Sequence, residues 1–398
     1  MSTTITQEGR DDLLARGYSR RQLFRTAMMV GGASALAAFN PESAAAQVGI
    51  IEREDRTRAK VRIGQNECWT GPFAAGVAAA TAMLPMSNRY EPNEVHADFV
   101  RAVAAMEKVP EDHISVWPGS GVCLIRGVVA YCSPTRGLVT ADPTYETPSR
   151  TAKFLQVPSK AVPVKADYSH DVRGMLQADP NAGVYYVVNP NNPTGTMTPT
   201  ADIEWLVDNK PAGSIVLIDE AYLHWSDGYP NNTLSHLVAA GKDVIVSRTF
   251  SKIFGMAGAR LGFVMARPDI IKKMQIYDGG TLSGQLSVPI VACGTASLGV
   301  VSQPVFAQRR KELMATRAMT IDFLNKRGVK VIGPSQANFV MVDWKNRTAK
   351  EMQAAFQAQS VAISGPRWPI WPTVSRISIG SKEEMEGFFT AFNKVVSA

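Results

Sequence analysis

Histidine and cysteine are scarce in this chain, five and four among 398 residues. The cysteines, Cys68, Cys123, Cys132 and Cys293, make no CxxC pair and have no histidine-rich neighbour, which argues against a metal site. Cys123 and Cys132 share what reads as one helix, where their separation of roughly 13 Å is too long for a disulfide, so packed, reduced thiols are expected. No apolar run is long enough to cross a bilayer as a helix, and no permanent membrane anchor is expected. Also absent are an internal repeat, a low-complexity tract and a run of lysine and arginine. The formal charge of +7 is spread along the chain and falls only to +6 without residues 1–46. That balance suits small anions better than nucleic acid.

What is present begins with "SRRQLFRTAMMVGGASALAAFNPESAAAQ". Paired arginines, Arg20 and Arg21, precede a mildly apolar run over residues 26–39 and then the small residues Ala44, Ala45 and Ala46. Basic, apolar and Ala-x-Ala regions in this order are those of a cleaved export signal. The twin arginine with Leu23 and Phe24 close behind resembles the bacterial twin-arginine (Tat) signal. Residues 1–46 are therefore expected to be a signal peptide, with cleavage after Ala46 and delivery to the periplasm. The alternative is a basic tail.

From residue 137 onward, short apolar runs alternate with helix-like segments, the pattern of a parallel α/β sheet. The runs are "GLVTA", "VYYVV", "SIVLI", "DVIVS" and "LGFVMA". Four of them lead into polar or ionisable residues: Tyr145 after the first, Asn192 after the second, Asp219 and Tyr222 after the third, Thr249, Ser251 and Lys252 after the fourth. Ligands in open α/β sheets bind beyond the carboxyl ends of the strands, so four such ends imply one shared site. Upstream, Gly119, Ser120 and Gly121 open an apolar helical pattern; a helix start of this kind binds phosphate well, although a plain loop would read the same. Taken singly, each residue has an ordinary role as well. Lys252 could snorkel from the surface, Asp219 could cap a helix, Asn192 could serve a turn before Pro193, and Tyr145, Tyr222 and Tyr90 could pack or sit in turns. Past residue 300 a charged helix, two strand-like runs and a final helix read as a smaller α+β domain over residues 301–398. Residues 47–85 are expected to contribute to it, with a large domain over residues 86–300.

A lysine, a strand-end carboxylate, an asparagine, tyrosines and an anion cradle with an extra arginine are the set that a phosphorylated, Schiff-base-forming cofactor requires. In combination, "NPNNPTG", "IDEAY" and "RTFSK", with Arg260 eight residues after Lys252, resemble the fold-type I pyridoxal-phosphate aminotransferases, and among them the histidinol-phosphate aminotransferase branch, over about residues 60–395. The resemblance implies an α/β fold with a mainly parallel sheet and a smaller α+β domain. It implies pyridoxal 5'-phosphate as cofactor, and an amino group moved between an amino acid and a 2-oxo acid by a ping-pong mechanism. It assigns Lys252 to the Schiff base, Asp219 to the pyridine nitrogen, Asn192 and Tyr222 to the phenolic oxygen, and Tyr145 to the ring face. Ser120, Gly121, Thr249, Ser251 and Arg260 would hold the phosphate, with Tyr90 donated across a homodimer interface. Arg376 would clamp the substrate carboxylate, and Asn66, Glu67 and Gly71 would cover the substrate, although "NECWTGP" departs from the family's N-E-N-P-x-G-P at Cys68 and Trp69.

The family's histidinol-phosphate enzymes place a second arginine twelve residues before the carboxylate arginine, where this chain has Ser364, with Arg367 three residues on. That difference and the export signal argue against histidinol phosphate as substrate. Trp368 and Trp371 suggest a pocket for apolar or aromatic side chains. The same cofactor would also serve a decarboxylase, a β-lyase, a racemase or the tailoring of a secreted amino-acid-derived metabolite.

Overall fold

The computed structural model describes residues 5–30 and 59–397. After a two-residue strand β1 (Val61–Arg62), the chain lays down β2 (Ile114–Trp117), β3 (Leu138–Asp142), β4 (Ser159–Pro163), β5 (Val184–Val188), β6 (Ile215–Asp219), β7 (Val244–Thr249) and β8 (Gly262–Met265). Strands β2 to β8 form a seven-stranded sheet in the order β2-β8-β7-β6-β5-β3-β4. Every residue of β5, β6 and β7 is buried, so their apolar runs are continuous rather than alternating, as a sheet covered on both faces requires. Neighbours from β4 through β7 pair in parallel.

The exception is β8, which pairs antiparallel with both β7 and β2. The sequence "LGFVMA" read as one more parallel strand, but residues 250–261 link β7 to β8 without a crossover helix, and a chain without a crossover can only turn back. The reversal brings Arg260 home to the edge of the sheet from which Lys252 departs.

The C-terminal part carries β9 (Lys330–Ile332), β10 (Phe339–Asp343), β11 (Val361–Ala362) and β12 (Val374–Ser378). Three of these form an antiparallel sheet ordered β12-β10-β9 that packs against the helix Pro304–Asn325, while the helices Ala349–Ala358 and Lys382–Ser397 pack on β11. β1 pairs in parallel with β11, which seats residues 61–63 against this part of the molecule.

Residues 5–30 are docked on the body as two helices, Gln7–Ala15 and Arg20–Val30. Leu13, Tyr18 and Thr26 are buried. Arg16 donates to the carbonyls of Val129 (2.9 Å) and Cys132 (2.6 Å), and the Tyr18 hydroxyl donates to the Cys132 carbonyl at 2.8 Å. Gln22 donates to the carbonyls of Leu155 and Gln156, while Arg20 and Arg21 stay exposed. Ala44, Ala45, Ala46 and the expected cleavage point lie outside the described residues. No helix among the described residues is long and apolar enough to cross a membrane.

Candidate active site

Because β3, β5, β6 and β7 run in one direction, the residues that follow them meet at one edge of the sheet. Asp219 ends β6 and is buried. Its carboxylate accepts from the Tyr186 hydroxyl at 3.1 Å and from the Ala221 N–H at 3.1 Å. Burial raises the carboxyl to about 6, and these two donors hold it from rising further, so it is ionised at neutral pH.

Lys252, on the loop after β7, donates from Nζ to the Asn66 carbonyl at 3.1 Å and sits 5.2 Å from the centre of the Tyr222 ring. Burial of the amine, together with the positive charge of Arg376, lowers it to about 7 against the opposing pull of Asp219 and Glu67. Near neutrality a large share of this amine is the free base.

The Tyr222 hydroxyl receives Nδ2 of Asn66 at 3.1 Å and Nδ2 of Asn192 at 3.4 Å, and its ring meets Phe339 edge-on at 5.0 Å. Arg376, on β12, donates to Asn192 Oδ1 (2.8 Å) and the Gly64 carbonyl (3.1 Å), while its buried Nε has no partner. Burial lowers this guanidinium to about 10, which leaves it charged at neutral pH and short of anionic company.

An anion cradle lies at the other end. Gly119, with φ of 86°, precedes the helix Ser120–Tyr131, and a Cβ on it would stand 2.3 Å from Arg260 Nη2, so only glycine lets the guanidinium lie over this turn. No side chain caps the first turn of that helix. Arg260 donates to Ser251 Oγ at 3.3 Å, and Thr249 Oγ1 donates to Ser251 Oγ at 2.9 Å. Hydroxyls, helix N–H groups and a guanidinium thus face one spot, the donor set for a phosphate dianion.

These groups surround two adjoining cavities. The first, of ≈ 350 Å³, is lined by Ser120, Gly121, Thr249, Ser251 and Arg260 at one end and by Asp219, Tyr222, Asn192, Tyr145 and Lys252 at the other. The second, of ≈ 690 Å³, shares Glu67, Tyr145, Asn192, Tyr222 and Lys252 and adds Asn66 and Arg376. A flat ring carrying a phosphate at one end and a basic nitrogen at the other would fit the first cavity, with the cradle groups to hold the phosphate, Asp219 the nitrogen and Lys252 the aldehyde.

Two of the expected site residues are not brought here. Gly71 lines neither cavity; the segment turns at Trp69, which packs against Trp225 at 6.1 Å, and Gly71 ends against the backbone of Gly255. Tyr90 is 87% exposed and away from the site of its own chain. Trp368 and Trp371 also stay out of the cavities: Trp368 packs with Ile332, Met341 and Val374, and Trp371 meets Tyr168 edge-on. The pocket they suggested for apolar side chains is therefore not formed by them.

The sequence did not point to Tyr186, nor to the buried ion cluster behind the site. Arg248 pairs with Glu107 at 2.7 Å and with Glu220 at 2.8 Å, and donates to Thr233. Glu220 follows Asp219 and Arg248 precedes Lys252 on the same strand-loop, so this cluster fixes the ends of β6 and β7 against each other. Its one legible sign was a second acid in "IDEAY".

Comparison with known proteins gives the same reading. Residues 58–392 match the family model described as aminotransferase class I and II. The histidinol-phosphate aminotransferase of Moorella thermoacetica is 26% identical over 356 residues, covering 87% of this chain and 88% of that protein. The crystal structure of histidinol-phosphate aminotransferase from Sinorhizobium meliloti in complex with pyridoxal-5'-phosphate superposes with a TM-score of 0.77 at 25% identity, over 87% of this chain and 94% of that one. Aspartate aminotransferase from Thermus thermophilus shares the fold, with a TM-score of 0.76 at 19% identity over 88% of this chain and 96% of that one.

Proposed function

This chain belongs to the class I and II aminotransferases, enzymes that depend on pyridoxal 5'-phosphate, and from that premise we propose that it moves an amino group between an α-amino acid and a 2-oxo acid in two half-reactions that share Lys252. One observation carries the reading. The cavity that joins an anion cradle to Asp219 and Lys252 opens into a second cavity where Arg376 holds a buried, unpartnered N–H.

When bound, pyridoxal phosphate supplies an aldehyde for imine exchange with the substrate and a protonated ring that takes up charge from its Cα. The residues of this chain do the rest. Lys252 would hold the cofactor's aldehyde and, once released by an incoming amine, with its own amine near 7, would be free base often enough at neutral pH to accept the Cα proton and return it on the far side of the substrate nitrogen. Asp219, ionised and buried, would hold the proton on the ring nitrogen. Tyr222 and Asn192, bonded to each other, with Asn66 on the Tyr222 hydroxyl, would donate to the phenolic oxygen. Arg376 takes the α-carboxylate, for which its free Nε is already oriented by Asn192 and Gly64.

The test is Lys252→Met. The wild-type protein, loaded with cofactor and given an amino acid panel with 2-oxoglutarate, should form keto acid and glutamate, and borohydride should fix the cofactor to it. The variant should do neither. Amino acid consumed by the wild type without glutamate formed would favour a lyase, decarboxylase or racemase instead.

The proposal extends to assembly and location. The helix Ala74–Met83 leaves Val77 (48%) exposed, Leu84 after it is 60% exposed, and Tyr90 stands free beside them, which supports a homodimer that gives Tyr90 to the partner's phosphate cradle. Arg20 and Arg21 at the exposed start of a helix support export by the twin-arginine route to the periplasm.

A further inference from the structure

The larger cavity is lined in part by side chains that the transamination chemistry does not use. Arg62, on β1, lines it together with Gln353 and Gln357 of the helix Ala349–Ala358. Arg62 lies two residues before Gly64 in the chain, within about 7 Å of it. The Gly64 carbonyl is where Arg376 rests. Arg62 is exposed and has no ion-pair or hydrogen-bond partner for its side chain among the described residues. Its register partner on β11 is Ala362, small enough to leave the guanidinium room. Gln353 and Gln357 lie one helical turn apart and share a face. A Cβ on Gly365 would sit 2.3 Å from Gln353 Oε1, so the glycine there is what lets this amide lie at the cavity wall.

Three other groups at this cavity, Ser364, Arg367 and Arg376, are engaged elsewhere. Ser364 Oγ accepts the backbone N–H of Arg376 at 2.8 Å. Arg367 is paired with Glu146 at 2.6 Å. Arg376 serves the α-carboxylate. The one carboxylate lining the larger cavity is Glu67, which also lines the cofactor cavity and, with Arg62 and Glu384, a smaller cavity of ≈ 140 Å³, yet neither acid pairs with Arg62. An unpaired guanidinium flanked by amide groups is a receptor for an oxyanion.

We propose that Arg62, flanked by Gln353 and Gln357, receives an oxyanion on the substrate's side chain, so that this enzyme selects amino acids whose side chains end in a carboxylate or a phosphate. The proposal rests on the aminotransferase reading above.

The test compares each acid with its neutral counterpart on the loaded holoenzyme: L-glutamate against L-glutamine, L-aspartate against L-asparagine, and O-phospho-L-serine against L-serine, each followed by loss of the cofactor's absorbance band. The wild type should favour at least one acid over its counterpart in kcat/KM by roughly thirtyfold or more. The pair that shows the preference tells carboxylate from phosphate. Arg62→Ala should lower that ratio by roughly thirtyfold, mainly through KM for the acid, and Arg62→Lys should give an intermediate ratio. A ratio tells selectivity from a general loss of folding. An Arg62→Ala ratio within about twofold of wild type, or a wild type that prefers the neutral member of every pair, overturns the proposal and leaves transamination standing. A wild-type band that no amino compound alters overturns the aminotransferase reading, and this proposal with it.

Discussion

Tyr186 reaches Asp219 from the neighbouring strand, and its effect on that carboxyl is the sharpest residue-level expectation. The hydroxyl donates to the ionised form, and so opposes the rise that burial imposes. Activity needs the carboxylate, so the acidic limb of the pH–rate profile follows the Asp219 ionisation. Tyr186→Phe removes the donor, the ionisation moves up from about 6, and the acidic limb should move to higher pH by about one unit. A limb that stays in place would show that the phenol only fills space. Lys252 and Asp219 were legible from sequence because each sits in a short motif at the end of a strand, and Arg260 because it stands eight residues after Lys252. Tyr186 was not, because its partner is set by the parallel register of β5 on β6, with Tyr186 opposite Leu217, and a single chain does not display register. Glu107 is hidden for the same reason: its partner Arg248 is far along the chain. Trp368 and Trp371 misled, since a tryptophan near a binding motif serves a local core as readily as a pocket.

At the scale of elements, the apolar runs were readable because the central strands are covered on both faces, whereas direction was not, as β8 demonstrates. Direction depends on what links two strands, and residues 250–261 hold no helix. The N-terminal hairpin is the element that the sequence described least. A basic segment before an apolar run gave no hint that Leu13, Tyr18 and Gln22 find seats on the body, because those seats are carbonyls and side chains far along the chain. Arg16 lies on the last turn of the helix Ser120–Tyr131, where a positive charge complements the helix dipole, and the first turn of that same helix belongs to the phosphate cradle. Removing residues 1–46, as export processing would, should therefore lower Tm by about 3 °C or more relative to the full chain. Thermal unfolding of the two forms, with N-terminal sequencing of protein from a periplasmic extract, checks both the contact and the cleavage. Equal Tm values would mean that the hairpin contributes nothing to the body.

For the whole molecule, the exposed apolar surface around Val77, Leu84 and Tyr90 matches an interface better than solvent. If Tyr90 completes the partner's cradle, a Lys252→Met chain and a Tyr90→Phe chain carry complementary defects. Refolded together, they should yield mixed dimers with one intact site each, detected as activity at limiting cofactor that neither variant shows alone. No recovery, with mixed dimers present, would place Tyr90 outside the partner's site. The hairpin also has a consequence in the order of synthesis. Its seat includes Cys132, Leu155 and Tyr277, so the segment made first cannot settle until residue 277 has left the ribosome. At about 5–20 residues per second, that wait is on the order of 10–50 s, during which Arg20 and Arg21 belong to a strand of nascent chain with nowhere yet to dock.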